Sequence, residues 1–224
     1  MNRGFHGTRV FTAILVLLAS GSAGAVNLLT NPGFNSGTTG WALSDPGSAT
    51  LSFDAADANG SPGSGSARID NNSVGASNGT GIAQCAGSVT AGNNYTYGGK
   101  VLFPTGQNRT GSVQVGLRWW DGAGCTGSAI SQPRLSLNAA NAAWVSLDSG
   151  VQVAPVGSVS VQFVAFPSKV EAGGTLVGQF DDLYIDDGLL AQGNTVAVPS
   201  LSQAGLAFML LLVGMVGIRL ARRY

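Results

Sequence analysis

An all-β body, a sandwich of short strands, is the fold class that the sequence predicts, and three observations predict it. No amphipathic helical stretch of useful length occurs between residues 26 and 190. Short β-prone segments recur there instead, separated by Gly, Asn, Ser and Asp, which is the spacing of sandwich strands and their turns. Two of these segments alternate cleanly between apolar and polar residues, the period of a strand with one wet face. The stretch is long enough for one well-buried core and short for two.

In chain order, strands are expected at 40–43, 50–53, 66–70, 81–85, 94–103, 112–120, 143–147, 159–166 and 179–185. Alternation is clearest in 112–120, where Val113, Val115, Leu117 and Trp119 oppose Gln114, Gly116, Arg118 and Trp120. In 159–166, Val159, Val161 and Phe163 oppose Ser160 and Gln162. Each strand is expected to bury the first set and wet the second. The Gly, Ser and Asn clusters at 59–65 and 71–80 read as loops. Long structureless loops are unusual in a compact domain, so one of these is expected to hold an irregular strand. Phe34 and Trp41 are expected to pack near the chain entrance, and no internal repeat is present.

Composition narrows the function. Charged residues are 10% of the chain and hydrophobic residues 44%, with 34 glycines and a mean hydropathy of +0.23. Such a chain is not a charged disordered tail, a coiled coil or a basic nucleic-acid binder. Eleven basic residues balance eleven acidic ones, but Arg3, Arg9, Arg219, Arg222 and Arg223 lie at the ends. Residues 26–198 keep six basic and eleven acidic residues, a net of −5.

Both ends are addresses. Residues 1–25 have the parts of a secretory signal: a basic start, an apolar run from Val10 to Ala19, and small residues ending in Ala23-Gly-Ala25. The apolar run is too short to span a bilayer, so cleavage after Ala25 is expected over an uncleaved anchor. The single histidine, His6, leaves with it, and imidazole triads and histidine-ligated metals leave too. At the other end, 191–200 is a linker and 201–224 a transmembrane helix with a basic tail. The apolar stretch 201–221 rises roughly 31 Å at 1.5 Å per residue, close to the hydrocarbon thickness of a bilayer. The terminal arginines should be cytoplasmic and the body on the far side. A terminal helix docked on the domain is the competing reading.

The pattern Val198, Pro199, Ser200, Leu201 and Ser202, then an apolar helix and a basic tail, resembles the IPTL-CTERM sorting signal, a relative of the PEP-CTERM signals of Gram-negative exported proteins. Here Val198 and Ser200 stand where Ile and Thr are usual. The resemblance implies an exosortase-type membrane protease as partner. The body would sit on the periplasmic side of the inner membrane, then move to the cell surface or outside.

The opening of the body, Asn27 to Gly37 followed by Trp41, resembles carbohydrate-binding-module-like jelly rolls of the galactose-binding-like superfamily. Ala83-Gln-Cys85 leading to Tyr95-Thr-Tyr97, Trp119 to Cys125, and the ending Gln179 to Ile185 resemble them as well. The resemblance implies a jelly-roll β-sandwich. It also implies a structural calcium between the first-strand region and the last strand, at Asn35 (where the family usually has Glu) and Asp181 or Asp182. Hydrogen bonds from Asn35 and Asp182 to turn amides are the competing reading.

Cys85 and Cys125 are the only cysteines. In an exported chain an even pair reads first as a disulfide, with two buried thiols as the alternative. Sugar binding needs an exposed aromatic platform, for which Trp120, Trp144, Tyr95, Tyr97 and Tyr184 are the candidates, each weighed against a packing role. Trp120 stands out, opposite the apolar face and beside Arg118 and Asp121. The leading expectation is a non-enzymatic exported surface or matrix protein. A carbohydrate-binding module, with extracellular polysaccharide as partner, is the alternative. A glycan-active enzyme using two of the aspartates Asp121, Asp148, Asp181, Asp182, Asp186 and Asp187 is a distant third.

Overall fold

The computed structural model of the protein describes residues 26–75 and 78–187. The expected signal segment, linker, sorting motif and membrane helix lie outside the described residues. Every regular element described is a strand: β1 (Asn35–Thr38), β2 (Ala42–Leu43), β3 (Ala49–Asp54), β4 (Ser66–Asn71), β5 (Asn78–Gly79), β6 (Ile82–Ser88), β7 (Asn94–Leu102), β8 (Gly111–Trp120), β9 (Ala129–Ser131), β10 (Arg134–Leu137), β11 (Val145–Asp148), β12 (Gln152–Val153), β13 (Ser160–Lys169) and β14 (Leu176–Asp186).

Two antiparallel sheets make the sandwich. The seven-stranded sheet runs β10–β8–β13–β6–β2, with β9 beside β8 and β5 beside β13. The six-stranded sheet runs β11–β7–β14–β4–β3, with β12 beside β7. From β6 to β7, β7 to β8 and β13 to β14 the chain changes sheet. Strands consecutive in sequence thus oppose one another across the core, as in a jelly roll.

Alternation decides which side chains fill the space between the sheets. Val113, Val115, Leu117 and Trp119 of β8 point inward and are fully buried, as do Val161, Phe163 and Ala165 of β13. Phe180, Leu183 and Ile185 of β14 face them from the other sheet. Val159 departs from the expected pattern. It precedes β13 and is 41% exposed, because it follows the turn closed by Ser158 N–H donating to Pro155 O.

Tyr95 and Tyr97 take the packing role of the two expected for them. They alternate with Thr96 on β7 and point inward with Val101, exposed by only 4% and 1%. Tyr95 meets Trp119 edge-on at 5.4 Å, bridging the two sheets. Burial pushes the Tyr97 hydroxyl up to about 12. Both rings are core, and neither belongs to a surface platform.

The chain enters beside its last strand. Asn27 bridges Asp186, and Leu28 N–H donates to Ile185 O at 2.8 Å. Phe34 then packs on Trp41 at 5.6 Å, Trp41 packs edge-on against Phe163 at 6.0 Å, and the indole N–H donates to Asn31 O. These are the entrance packing roles expected of Phe34 and Trp41.

Candidate functional site

The outer face of the seven-stranded sheet carries the residues that oppose the core set. Strand register builds it. Arg118 of β8 lies opposite Gln162 of β13, and Trp120 lies opposite Ser160. Gly116 lies between Arg134 of β10 and Val164 of β13. A Cβ on Gly116 would come within 3.0 Å of the Arg134 stem. Glycine therefore lets Arg134 cross β8, so that its guanidinium sits 4.8 Å from the centre of the Phe166 ring on β13, a cation–π distance. Val164 and Phe166 are 2% and 4% exposed; Phe166 is covered by the Arg134 guanidinium and by the close approach of the chain at Gly79 and Gly81.

Three polar atoms in this region have unspent hydrogen-bonding capacity. Arg118 Nε, Trp120 Nε1 and Gln162 Oε1 are buried without a partner among the described residues. Leaving such a group unpaired costs about 1–3 kcal/mol. The two donors and the acceptor lie on adjacent positions beneath the surface of this face. Burial and the nearby Arg134 charge both hold Arg118 below the ordinary arginine range.

A strap closes one end of this face. Residues 121–128 leave Trp120 and fold back through Asp121 N–H to Ser128 O and Gly122 N–H to Thr126 O. The strap crosses β13, where Cys125 N–H donates to Ser160 Oγ at 2.9 Å and that hydroxyl donates to Gly122 O at 2.6 Å. It ends in the expected disulfide: Cys125 joins Cys85 of β6 with Cα atoms 5.8 Å apart, an ordinary span for the bond.

Trp144 is half-buried in the connection from β10 to β11, outside both. Its neighbour Val145 pairs with Val101 near the far end of β7, whereas Tyr95, at the near end, touches Trp119. The structure thus does not unite Trp120 and Trp144 in one platform. Tyr184 lies on the six-stranded sheet, against Gly98. That sheet also borders a polar cavity of about 260 Å³ between Arg68, Gln107, Asn108 and Thr175. Gln107 is already committed there, accepting from Val177 N–H and donating to Pro104 O.

Asn35, Asp181 and Asp182 do converge. A Cβ built on Gly33 would lie 3.5 Å from Asp182 Oδ1, 3.6 Å from Asn35 Nδ2 and 3.9 Å from Asp181 Oδ1. Adjacent aspartates in a regular strand would diverge. Here the register shifts between Asp181 and Tyr184, and Asp182 has φ of 47°, a β-bulge that re-aims a side chain.

Both carboxylates of this cluster already accept hydrogen bonds. Asp181 Oδ2 accepts from Ala58 N–H at 2.9 Å, Asp181 Oδ1 from Asp182 N–H at 2.8 Å, and Asp182 Oδ2 from Asn59 Nδ2 at 2.6 Å. Calcium takes six to eight oxygens. Among the described residues no three acidic, histidine or cysteine side chains form a metal-holding group. Two aspartates and one amide supply fewer side-chain oxygens than calcium takes, so a cation here would need backbone carbonyls as well. The two aspartates make a clamp that fixes the 57–61 loop to β14. Burial, reinforced by the Asp182 and Asp57 charges, pushes the Asp181 carboxyl up to about 6 against its two amide donors.

Residues 196–223 match the IPTL-CTERM motif. No curated protein matches in sequence. Among solved structures, the CBM22-1 xylan-binding domain from Paenibacillus barcinonensis Xyn10C is similar over 74% of this chain and 97% of that one, at 17% identity and a TM-score of 0.52. The enzymatically active domain of bacteriophage CBA120 tailspike protein 4 is similar over 71% of this chain and 21% of its own, at 16% identity and a TM-score of 0.54. The arabinose-bound MgGH51 α-L-arabinofuranosidase is similar over 75% of this chain and 27% of its own, at 19% identity and a TM-score of 0.52. The chain thus spans about a fifth to a quarter of the two enzymes, and all three likenesses describe the sandwich fold.

Arg118 and Trp120 were visible in the sequence as wet-face residues. Gln162 was visible only as a polar alternate, and Arg134 and Phe166 were missed. Their one signal is cross-strand register, which no short motif encodes.

Proposed function

We propose that the protein is a non-catalytic exported surface protein. The first 25 residues send it across the inner membrane, the C-terminal segment holds it there, and an exosortase-type membrane protease releases or transfers the sandwich to the cell surface or the extracellular matrix. The observation that carries this reading is the IPTL-CTERM match at 196–223, joined in the sequence to a signal-like N-terminus. Cell fractionation with mass mapping of the C-terminus tests it. The expected product outside the inner membrane lacks the segment after the sorting motif. The intact segment 201–224 on the protein in every compartment would overturn processing.

A second reading concerns what the body does on arrival. Half-buried Trp120 beside the unpartnered Arg118 Nε and Gln162 Oε1 favours polysaccharide binding across the outer face of the seven-stranded sheet. Sugars combine an apolar ring face with hydroxyls, and this face combines an indole with a half-buried guanidinium and a half-buried amide. Binding of the full chain to a glycan array, lost in Trp120→Ala, is the expected result. An unchanged binding pattern in Trp120→Ala would reject this face.

A further inference from the structure

The two sheets differ in charge as well as in strand number. No aspartate or glutamate occurs in any strand of the seven-stranded sheet, which holds Arg118, Arg134 and Lys169. The six-stranded sheet holds Arg68 and Lys100 against Asp54, Asp70, Asp148, Asp181, Asp182 and Asp186, a net of −4. The single ion pair among the described residues, Arg68 with Asp70 at 3.0 Å, also lies on the acidic sheet.

Lys169 is spent internally. Its buried ammonium donates to the carbonyls of Ser73, Gly173 and Gly174. Arg118 and Arg134 are not spent in this way. They share the outer face, and neither forms an ion pair among the described residues; Arg134 donates only to the neutral Gln132 Oε1, and Asp121 of the strap accepts from Ser128 N–H at 2.7 Å. One strand apart and two residues offset, their Cα atoms lie about 8 Å from one another.

We infer that this face binds an anionic polysaccharide, such as a uronate polymer, with Arg118 and Arg134 receiving its carboxylates. The inference rests on the polysaccharide-binding reading above and specifies its ligand class. Placing two like charges together without a counter-ion costs free energy in the free protein, and an anion recovers it. Guanidinium groups meet carboxylates through paired N–H donors. Two cations at this spacing, with an aromatic ring and Gln162 between and beside them, suit charges distributed along a sugar chain. The acidic remainder of the body disfavours the dense charge of nucleic acid, which calls for a broad basic surface.

The test uses the full chain in detergent with three polymers: polygalacturonate, the same polymer methyl-esterified, and xylan. Polygalacturonate is expected to bind at least about tenfold more tightly than its neutral ester, with the preference shrinking as salt rises. Arg118→Gln and Arg134→Gln should each remove most of that preference with the melting temperature unchanged, and Arg118→Lys should lose part of it. Arg68→Gln, on the acidic sheet, should have no effect. Equal binding of the acidic and neutral polymers overturns the charge inference and leaves polysaccharide binding standing. Binding to none of the three at millimolar sugar overturns both. Tighter binding to single-stranded DNA than to polygalacturonate, or an equal loss in Arg68→Gln, also overturns the inference. Arg134 is exposed, so Arg134→Gln reports even where a change at half-buried Arg118 disturbs folding.

Discussion

Removing the disulfide tests how the strap contributes to the body. In Cys85→Ala/Cys125→Ala the chain between the cysteines, 40 residues in sequence separation, is no longer closed in the unfolded state. The chain-entropy relation gives about 4 kcal/mol for a loop of that length. The described domain runs from 26 to 187, and at about 2.1 cal/mol/K per residue its unfolding entropy is roughly 340 cal/mol/K. The double variant should therefore melt about 12 °C lower. The native hydrogen bonds of the strap, from Cys125 N–H to Ser160 Oγ and from Ser160 Oγ to Gly122 O, do not require the bond and should persist. Calorimetry with and without reductant separates the terms. Reductant should bring the wild type down to the variant and leave the variant where it is. A variant within about 2 °C of wild type, or one that still responds to reductant, would refute the assignment of this stability to the covalent closure.

Acidity should strengthen the fold before it weakens it. A carboxyl whose pKa is higher folded than unfolded holds its proton more tightly in the folded state, so its contribution is present at low pH and lost as pH rises through the folded value. Asp181, at about 6 against 3.8, gives an effect of order 3 kcal/mol, and Asp186 shifts in the same direction. The melting temperature should rise between about pH 7 and pH 4, and Asp181→Asn should flatten that rise; a fall over this range in the wild type would contradict it. Calcium at millimolar concentration should move the melting temperature by less than about 2 °C, and a larger upward shift would mean that the Asp181–Asp182 clamp holds a cation. Tyr95→Ala should cost about 3–5 kcal/mol in urea denaturation and Trp120→Ala less than half of that, since only the first ring is in the core; equal costs would reject the face assignment.

The central strands were legible because they carry the period-two signal on both faces. β4, β7 and β8 match their expected ranges to within a residue at each end, and β14 runs three residues further at its start than expected. The strands β9, β10 and β12 were invisible: they run two to four residues, fewer than a full alternation needs, and they form by pairing to an existing edge. The irregular strand expected in one of the glycine-rich loops is β5, paired to Ser168 and Lys169. Aromatic identity left Tyr95 and Tyr97 open between platform and core, since a ring carries the same letter on either face and only the neighbours across β7 decide which face it takes. The gathering of Asn35, Asp181 and Asp182 was legible through resemblance, but the bulge that aims the two aspartates the same way has no marker in the letters Phe-Asp-Asp-Leu.

The position of β14 bears on how the body withstands pulling. This strand lies in the middle of its sheet, laddered to β4 through 176–180 and to β7 through 179–186, and the chain leaves for the C-terminus from its end. Antiparallel hydrogen bonds run perpendicular to their strands. Tension drawn through the tail therefore acts along β14 and loads both ladders at once in shear, where tugging an outermost strand sideways would unzip one ladder bond by bond. While the proposed sorting tail holds the body to the membrane, drag on the sandwich would have to break this grip in many places together.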